Sequence, residues 1–197
     1  MQPMTREFHA GGFSPRRAKR SGSMQLTQWN VVTGAPSSGK TAVIEELLRR
    51  GYPVVPEVAR ALIDRELARG KTLHRIKSDI QGFERTILME KVRIEAGLPA
   101  DRTVFLDRAV PDSIAYYRIE GLDPAEAEAE AGRWRYRRVF LFERLSFEAD
   151  GVRSENDRKA QLLEELLTDV YQRLGYPVIR VPVLPVRERA DWILKRI

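Results

Sequence analysis

The chain has 197 residues, 43% apolar and 8% aromatic, enough for one domain with a core of ordinary size. With no cysteine and only two histidines, His9 and His74, it excludes a disulfide framework, a thiolate nucleophile and cysteine-ligated zinc. The net charge of +6 does not read as a nucleic-acid signature, because residues 1–23 supply most of it and the remainder is nearly neutral.

Residues 1–26 read as a basic, disordered tail. Arg6, Arg16, Arg17, Lys19 and Arg20 face Glu7 alone, among Gly11, Gly12, Pro15 and Gly22 and without apolar periodicity. The tail is expected to be a dispensable extension, with Met24 a candidate true start; a targeting segment or an acidic-surface contact are the alternatives. No run approaches the roughly 18 to 20 apolar residues of a membrane span, and the first residues lack the apolar core of a secretory signal. A soluble, cytoplasmic protein is expected.

From Thr27 onward, strand and helix signals alternate, which implies an α/β domain over residues 27–197. Strands are expected near Trp29–Thr33, Tyr52–Val55, Thr103–Leu106, Arg138–Phe142 and Pro177–Val181, each short and apolar on consecutive positions, as in a parallel sheet buried on both faces. Val43, Ile44, Leu47 and Leu48 recur at helical spacing before Gly51. A long helical stretch over Lys71–Ala96 carries Ile80, Phe83, Ile87 and Leu88 as core packing. Asp123, Pro124 and Glu126 read as N-cap, first-turn proline and capping-box acid of a solvated Ala/Glu helix.

Between the first strand and helix stands Gly34-Ala35-Pro36-Ser37-Ser38-Gly39-Lys40-Thr41. Glycines let the backbone curl around phosphate oxygens, and the amides near Gly39 to Thr41 open a helix whose positive end favours an anion. Lys40 supplies a charge to the β and γ phosphates, Thr41 a hydroxyl to Mg²⁺, and Ser37 and Ser38 complete the cradle. A strand before and an amphipathic helix after this motif are the context that distinguishes it from a glycine-rich turn.

The third strand delivers Asp107 and Arg108 to its carboxyl end, where ligands of open α/β sheets collect. Asp107 is a candidate Mg²⁺ holder or proton acceptor, and Arg108 a candidate for neutralising charge on a transferred phosphoryl group. Glu57 and Arg60 share a face if a helix begins at Pro56, as acceptor-binding acid and anion ligand. Asp112 is a substrate-side candidate that doubles as a helix cap near Pro111. The polar segment Phe147–Arg158 reads as a lid bringing Arg153 or Arg158 onto phosphates. Arg133, Trp134, Arg135, Tyr136, Arg137 and Arg138 read as a helix end feeding the fourth strand rather than a nucleic-acid platform. His74 reads as a surface residue.

Together these residues resemble the P-loop AAA-type ATPase domains related to the nicotinamide-riboside kinase domain of the bacterial NAD regulator. The resemblance rests on Gly34–Thr41, Tyr52–Arg60, Phe105–Arg108 with Pro111, Asp112 and Tyr116, Asp150–Arg153 with Glu155, and Leu174–Tyr176, and covers roughly Trp29 to Ile197. It implies a three-layer P-loop fold, with a five-stranded parallel sheet of order 2-3-1-4-5, that binds ATP or GTP. It places Asp107 at the metal or base position, Glu57 on the acceptor side and Arg153 in the lid. The family also includes trafficking GTP-binding proteins, and the Asn-Lys-x-Asp guanine pattern is absent from this sequence.

The first expectation is a small-molecule kinase that moves the γ-phosphoryl of ATP or GTP onto a hydroxyl of a nucleoside-like or riboside acceptor. The second is a nucleotide-dependent switch, ATPase or GTPase, acting on a protein or membrane partner. A nucleic-acid-dependent ATPase ranks last.

Overall fold

The computed structural model describes residues 25–144 and 155–197. Strands β1 (Gln25–Leu26) and β2 (Trp29–Thr33) lead through the glycine-rich loop into helix α1 (Lys40–Arg49). Then follow β3 (Val54–Val55), α2 (Val58–Ala68), α3 (Leu73–Ile76), α4 (Ile80–Gly97), β4 (Val104–Asp107), α5 (Val110–Ile119) and α6 (Ala125–Ala131). The chain continues through β5 (Trp134–Arg135), β6 (Arg138–Phe142), α7 (Glu155–Arg173), β7 (Val178–Val181) and α8 (Val186–Leu194).

The main sheet has five strands in the order β3-β4-β2-β6-β7, all parallel. Numbered among themselves, these strands run 2-3-1-4-5, the expected order. Register follows from alternation. Val32, Phe105, Phe140 and Phe142 point to the layer holding α1 and α8, while Val31, Val104, Leu106 and Val139 point to the opposite face. A slip of one residue would exchange the two sets, so burial on both sides fixes the pairing Val31 with Leu106 and Val32 with Phe140. Helices α4, α5, α6 and α7 close the second face around Leu88, Ile114, Leu141 and Leu167.

The structure refines four sequence expectations. Residues 25 and 26, assigned to the tail, pair in parallel with Trp134 and Arg135 as a small second sheet; the rest of the tail lies outside the described residues. The helical stretch over 71–96 is split, because Thr72 accepts from the Arg75 amide at 3.3 Å and Asp79 from the Gly82 amide at 2.9 Å, giving α3 and α4 separate N-caps. Asp123 accepts from the Ala125 amide, but Glu126 pairs with Arg85 of α4 instead of closing a capping box, and Ala127 and Ala131 are buried. Finally, α2 begins at Val58, with Glu57 as its cap residue. The 133–138 cluster feeds β6 as expected: Trp134 packs on Trp29 with ring centroids 5.0 Å apart, and Tyr136 is buried. His74 is exposed.

Candidate functional site

The loop between β2 and α1 holds its shape through two glycines. Gly34 has φ +138°, and a Cβ there would stand 2.7 Å from the Phe142 carbonyl oxygen, so no other residue fits without moving β6. Gly39, at φ +82°, is the cap residue of α1. Lys40 is almost fully buried, and its Nζ donates to the Ala35 carbonyl at 2.8 Å and to Ser38 Oγ at 3.0 Å. Burial, helped by the nearby Arg108 guanidinium, pulls this lysine down to about 7; a bound polyanion would restore its charge. Ser37 and Thr41 are exposed along the rim.

Across from this loop β4 ends in Asp107, whose register partner is Val32 of the central strand. The Asp107 side chain is 3% exposed, and its Oδ1 takes no hydrogen bond from the described residues. Burial pushes this carboxyl up to about 6 against the pull of Arg108 and Lys40.

Arg108 adopts φ +67°, which turns its side chain back under the loop. Nη1 donates to the Gly34 carbonyl at 3.0 Å and Nε to Glu57 Oε1 at 2.9 Å, while the guanidinium lies 5.2 Å over the Tyr116 ring. Burial would discharge it, but Tyr116, Asp112 and Glu57 outweigh that and hold it protonated. Arg108 thereby ties the first glycine of the loop to the start of α2. Burial would also raise Glu57, yet Arg108 prevails and keeps its pKa below the usual carboxylate value.

Asp112, expected on the substrate side, is fully enclosed. Its carboxylate accepts from Thr33 Oγ1 and Tyr171 OH, each at 2.5 Å, and from the Ala109 amide at 3.0 Å. With both oxygens engaged and no exposed surface, it braces the start of α5 rather than meeting a ligand.

A cavity of about 280 Å³ opens beside the loop at Pro36, with Glu57, Arg60 and Arg108 on its walls. A second hollow of about 400 Å³ adjoins it, sharing Pro36 and Tyr116 and running along α7 past Arg144 and Lys159. Of the residues singled out in the sequence, Glu57, Arg60 and Arg108 line the first cavity, whereas Asp107 lines neither hollow. Arg158 is an exposed residue of α7 outside both hollows, and Arg153 lies outside the described residues.

Two features escaped the sequence reading. Glu84 and Lys91 of α4 are buried and line the cavity; the available signal was a pair of charges at positions four and eleven after Ile80, on the same helical face as Ile80 and Ile87. Arg189 of α8 is 2% exposed, donates from Nη1 to the Ser38 carbonyl at 2.7 Å and lies 5.4 Å over the Phe142 ring. No local pattern marks Arg189.

A family model described as an AAA domain matches residues 29–189. The chain belongs to this AAA domain family. No curated protein matches the sequence. Among solved structures, the NadR protein in complex with NR is similar at a TM-score of 0.62 and 19% identity, over 86% of this chain and 51% of its own. Deoxyadenosine kinase from M. mycoides follows at TM-score 0.59 and 14% identity, covering 85% of this chain and 97% of that one. Thymidylate kinase from Ehrlichia chaffeensis gives 0.56 and 14%, covering 88% and 98%. At these identities the likeness is one of fold, and the chain spans about half the length of the NadR protein.

The AAA domain's own residues fit a magnesium ion bound with nucleotide. Among the described residues Asp107 offers a buried oxygen without a partner and Thr41 an exposed hydroxyl, the two groups that would hold it beside waters and substrate phosphates. No helix among the described residues is long and apolar enough to cross a membrane.

Proposed function

We propose that this AAA domain is a small-molecule kinase that transfers the γ-phosphoryl group of ATP or GTP to a hydroxyl of a nucleoside-like or riboside acceptor. The observation that carries this reading is the 280 Å³ cavity beside the phosphate loop, with Glu57 and Arg108 on its wall: a nucleotide hydrolase or switch has no need of a second site there. The deoxyadenosine and thymidylate kinases of similar fold support the same choice.

In this reading the amides of Gly39, Lys40 and Thr41 and the Lys40 ammonium hold the β and γ phosphates. Mg²⁺, held by Thr41 and Asp107, would draw charge off the phosphate oxygens. Arg108, fixed by Glu57 and the Gly34 carbonyl, sets the position of the loop and adds positive potential at the cavity mouth. Glu57 Oε2 takes no hydrogen bond from the described residues, so it is placed to accept one from the acceptor hydroxyl. As the acceptor oxygen bonds to the γ-phosphorus, the bond from that phosphorus to the β–γ bridging oxygen breaks; the hydroxyl proton passes to Glu57 and the nucleoside diphosphate leaves. A low-pKa carboxylate suffices because the transition state is loose and asks more for orientation than for basicity. Arg153 and Arg158 would close over the transferring group from the segment before and at the start of α7, and Arg60 would hold an anionic or polar part of the acceptor.

Incubation with Mg-ATP or Mg-GTP and a panel of nucleosides, nicotinamide riboside among them, tests the proposal by mass detection of phosphorylated product. Turnover on any member supports it. Tight nucleotide binding with no product from the panel would leave a nucleotide switch in its place.

A further inference from the structure

The core beneath the phosphate loop holds a carboxylate where apolar side chains could pack instead. Asp112, in the first turn of α5, is fully enclosed, and a charge so placed is tolerated only when its oxygens are engaged. The partners of Asp112 come from separate stretches of chain. Thr33 Oγ1 donates from the end of β2 and Tyr171 OH from α7, each at 2.5 Å. The Ala109 amide donates from the turn after β4, and Arg108 Nη1 forms an ion pair at 3.5 Å.

Two of these partners reach the phosphate loop. Thr33 is the residue before Gly34. The Arg108 nitrogen that faces Asp112 is the same one that donates to the Gly34 carbonyl, and it does so from a backbone at φ +67°, a region that a residue of this size enters only when its surroundings hold it there. Tyr171 is the remote member. Its ring is 0% exposed and meets Tyr176 nearly edge-on with centroids 5.8 Å apart, a place that phenylalanine would fill as well. Among the described residues its hydroxyl bonds to Asp112 alone, and burial together with the Asp112 charge raises its pKa well above that of free tyrosine, so it remains a donor. The other polar ties of α7 to α5, Lys159 with Glu120 at 2.7 Å and Asp169 with Arg118 at 3.2 Å, lie at the surface, where such pairs contribute little.

We propose that Tyr171 is a positioning residue for the nucleotide: through Asp112 it holds Thr33 and Arg108, and through them the Gly34 end of the phosphate loop, in the form that receives phosphate. This rests on the nucleotide-binding half of the kinase reading and not on the acceptor. A hydroxyl with packing duties alone would affect melting and leave binding untouched. Buried hydrogen bonds that share one carboxylate act together instead: with either donor gone, the carboxylate is free to turn toward the ones that remain, and its grip on the loop is lost. Because α7 also walls the second hollow through Lys159 and Leu163, the same network links the position of that wall to the shape of the loop.

The test is a double-mutant cycle on Mg-ATP binding, measured by calorimetric titration of the full chain at a temperature where melting curves show every variant folded. Tyr171→Phe and Thr33→Val, 138 residues apart in sequence, should each raise Kd by about 10-fold. If both act through the Asp112 carboxylate, the double variant should stay within about twofold of the weaker single variant, where independent effects would multiply to about 100-fold. Should Tyr171→Phe not fold, Asp112→Asn takes its place in the same cycle. Single variants that bind within about twofold of the wild type, or a double variant whose losses multiply, overturn the assignment while leaving the kinase reading intact. A wild type that binds no Mg-ATP overturns both. Coupled losses of binding in a chain that phosphorylates no acceptor would uphold the role of Tyr171 and remove the kinase reading alone.

Discussion

Arg189 holds the carbonyl of Ser38 at 2.7 Å across 151 residues of sequence, tying the last helix to the phosphate loop. The Ser38–Gly39 peptide is planar and trans, so a carbonyl drawn toward α8 sends the Gly39 N–H the other way. Arg189 does this while its own Nε and Nη2 are buried without partners among the described residues, and burial lowers its pKa. A side chain that costs stability and aims a loop amide is a positioning residue for the nucleotide. Arg189→Met should therefore weaken Mg-ATP binding by about 10-fold or more, with the thermal midpoint unchanged or raised and acceptor KM unaffected. Calorimetric titration beside a melting curve measures both; an unaltered nucleotide affinity would remove the role.

What the sequence disclosed follows the reach of each interaction. The phosphate loop is local: eight adjacent residues carry its chemistry, and the strand before it and helix after it are equally local. The central strands were legible because burial on both faces leaves consecutive apolar residues, as in Val104-Phe105-Leu106. Asp112 was left between a substrate-side role and a helix cap because its partners Thr33 and Tyr171 are 79 and 59 residues away, and nothing nearby reveals that its oxygens are taken. The stripe on α4 was read as packing, since whether Glu84 and Lys91 are solvated or enclosed depends on what α4 faces, not on α4 itself. The break between α3 and α4 was visible in principle, as Thr72 and Asp79 are both capping residues, but apolar periodicity on either side masked it.

Gly34 should tolerate no side chain. An added Cβ meets the Phe142 carbonyl oxygen at 2.7 Å, and φ at +138° is strained for any other residue. The obstructing atom is backbone of a central strand, which cannot swing aside as a side chain would. Gly34→Ala should cost at least about 2 kcal/mol, lowering the thermal midpoint by about 4 to 8 °C, and should disturb the carbonyl that Arg108 grips. A variant that melts with the wild type and binds Mg-ATP normally would contradict the tight approach of loop and strand.

Glu95 sets a pH dependence of stability outside the phosphate site. It is 2% exposed, accepts from the Val110 amide at 2.9 Å and from Tyr136 OH at 2.8 Å, and burial pushes it up to about 7. With a folded pKa above the unfolded one, the folded state holds the extra proton between about 4.5 and 7. Its contribution is therefore fully present below the lower value and lost as pH rises through the upper one. Glu95→Gln, which can still accept from Val110, removes that loss. The variant should match the wild type near pH 4.5 and exceed it near pH 8 by about 3 kcal/mol, or about 6 to 12 °C in thermal midpoint. Parallel melting curves across this range would expose an error if the difference between the two proteins stayed constant.

Asp107 should separate stability from activity. Its Oδ1 is buried without a partner among the described residues and burial raises its pKa to about 6, so at pH 8 the folded chain carries a carboxylate that it holds at a cost. Asp107→Asn keeps the shape and removes the charge. The gain is partly offset because Asp107 supports the protonated form of Lys40, which leaves a net stabilisation on the order of 1 kcal/mol at pH 8. Phosphoryl transfer should fall by at least about 100-fold, since the amide cannot supply the negative oxygen that Mg²⁺ requires. Nucleotide binding measured without magnesium should survive, because the loop amides are untouched and a bound polyanion itself restores the charge of Lys40. An Asp107→Asn variant as active as the wild type would show that the unpaired oxygen serves neither metal nor transfer; one that is less stable at pH 8 would show that the carboxylate is held in the fold by partners of its own.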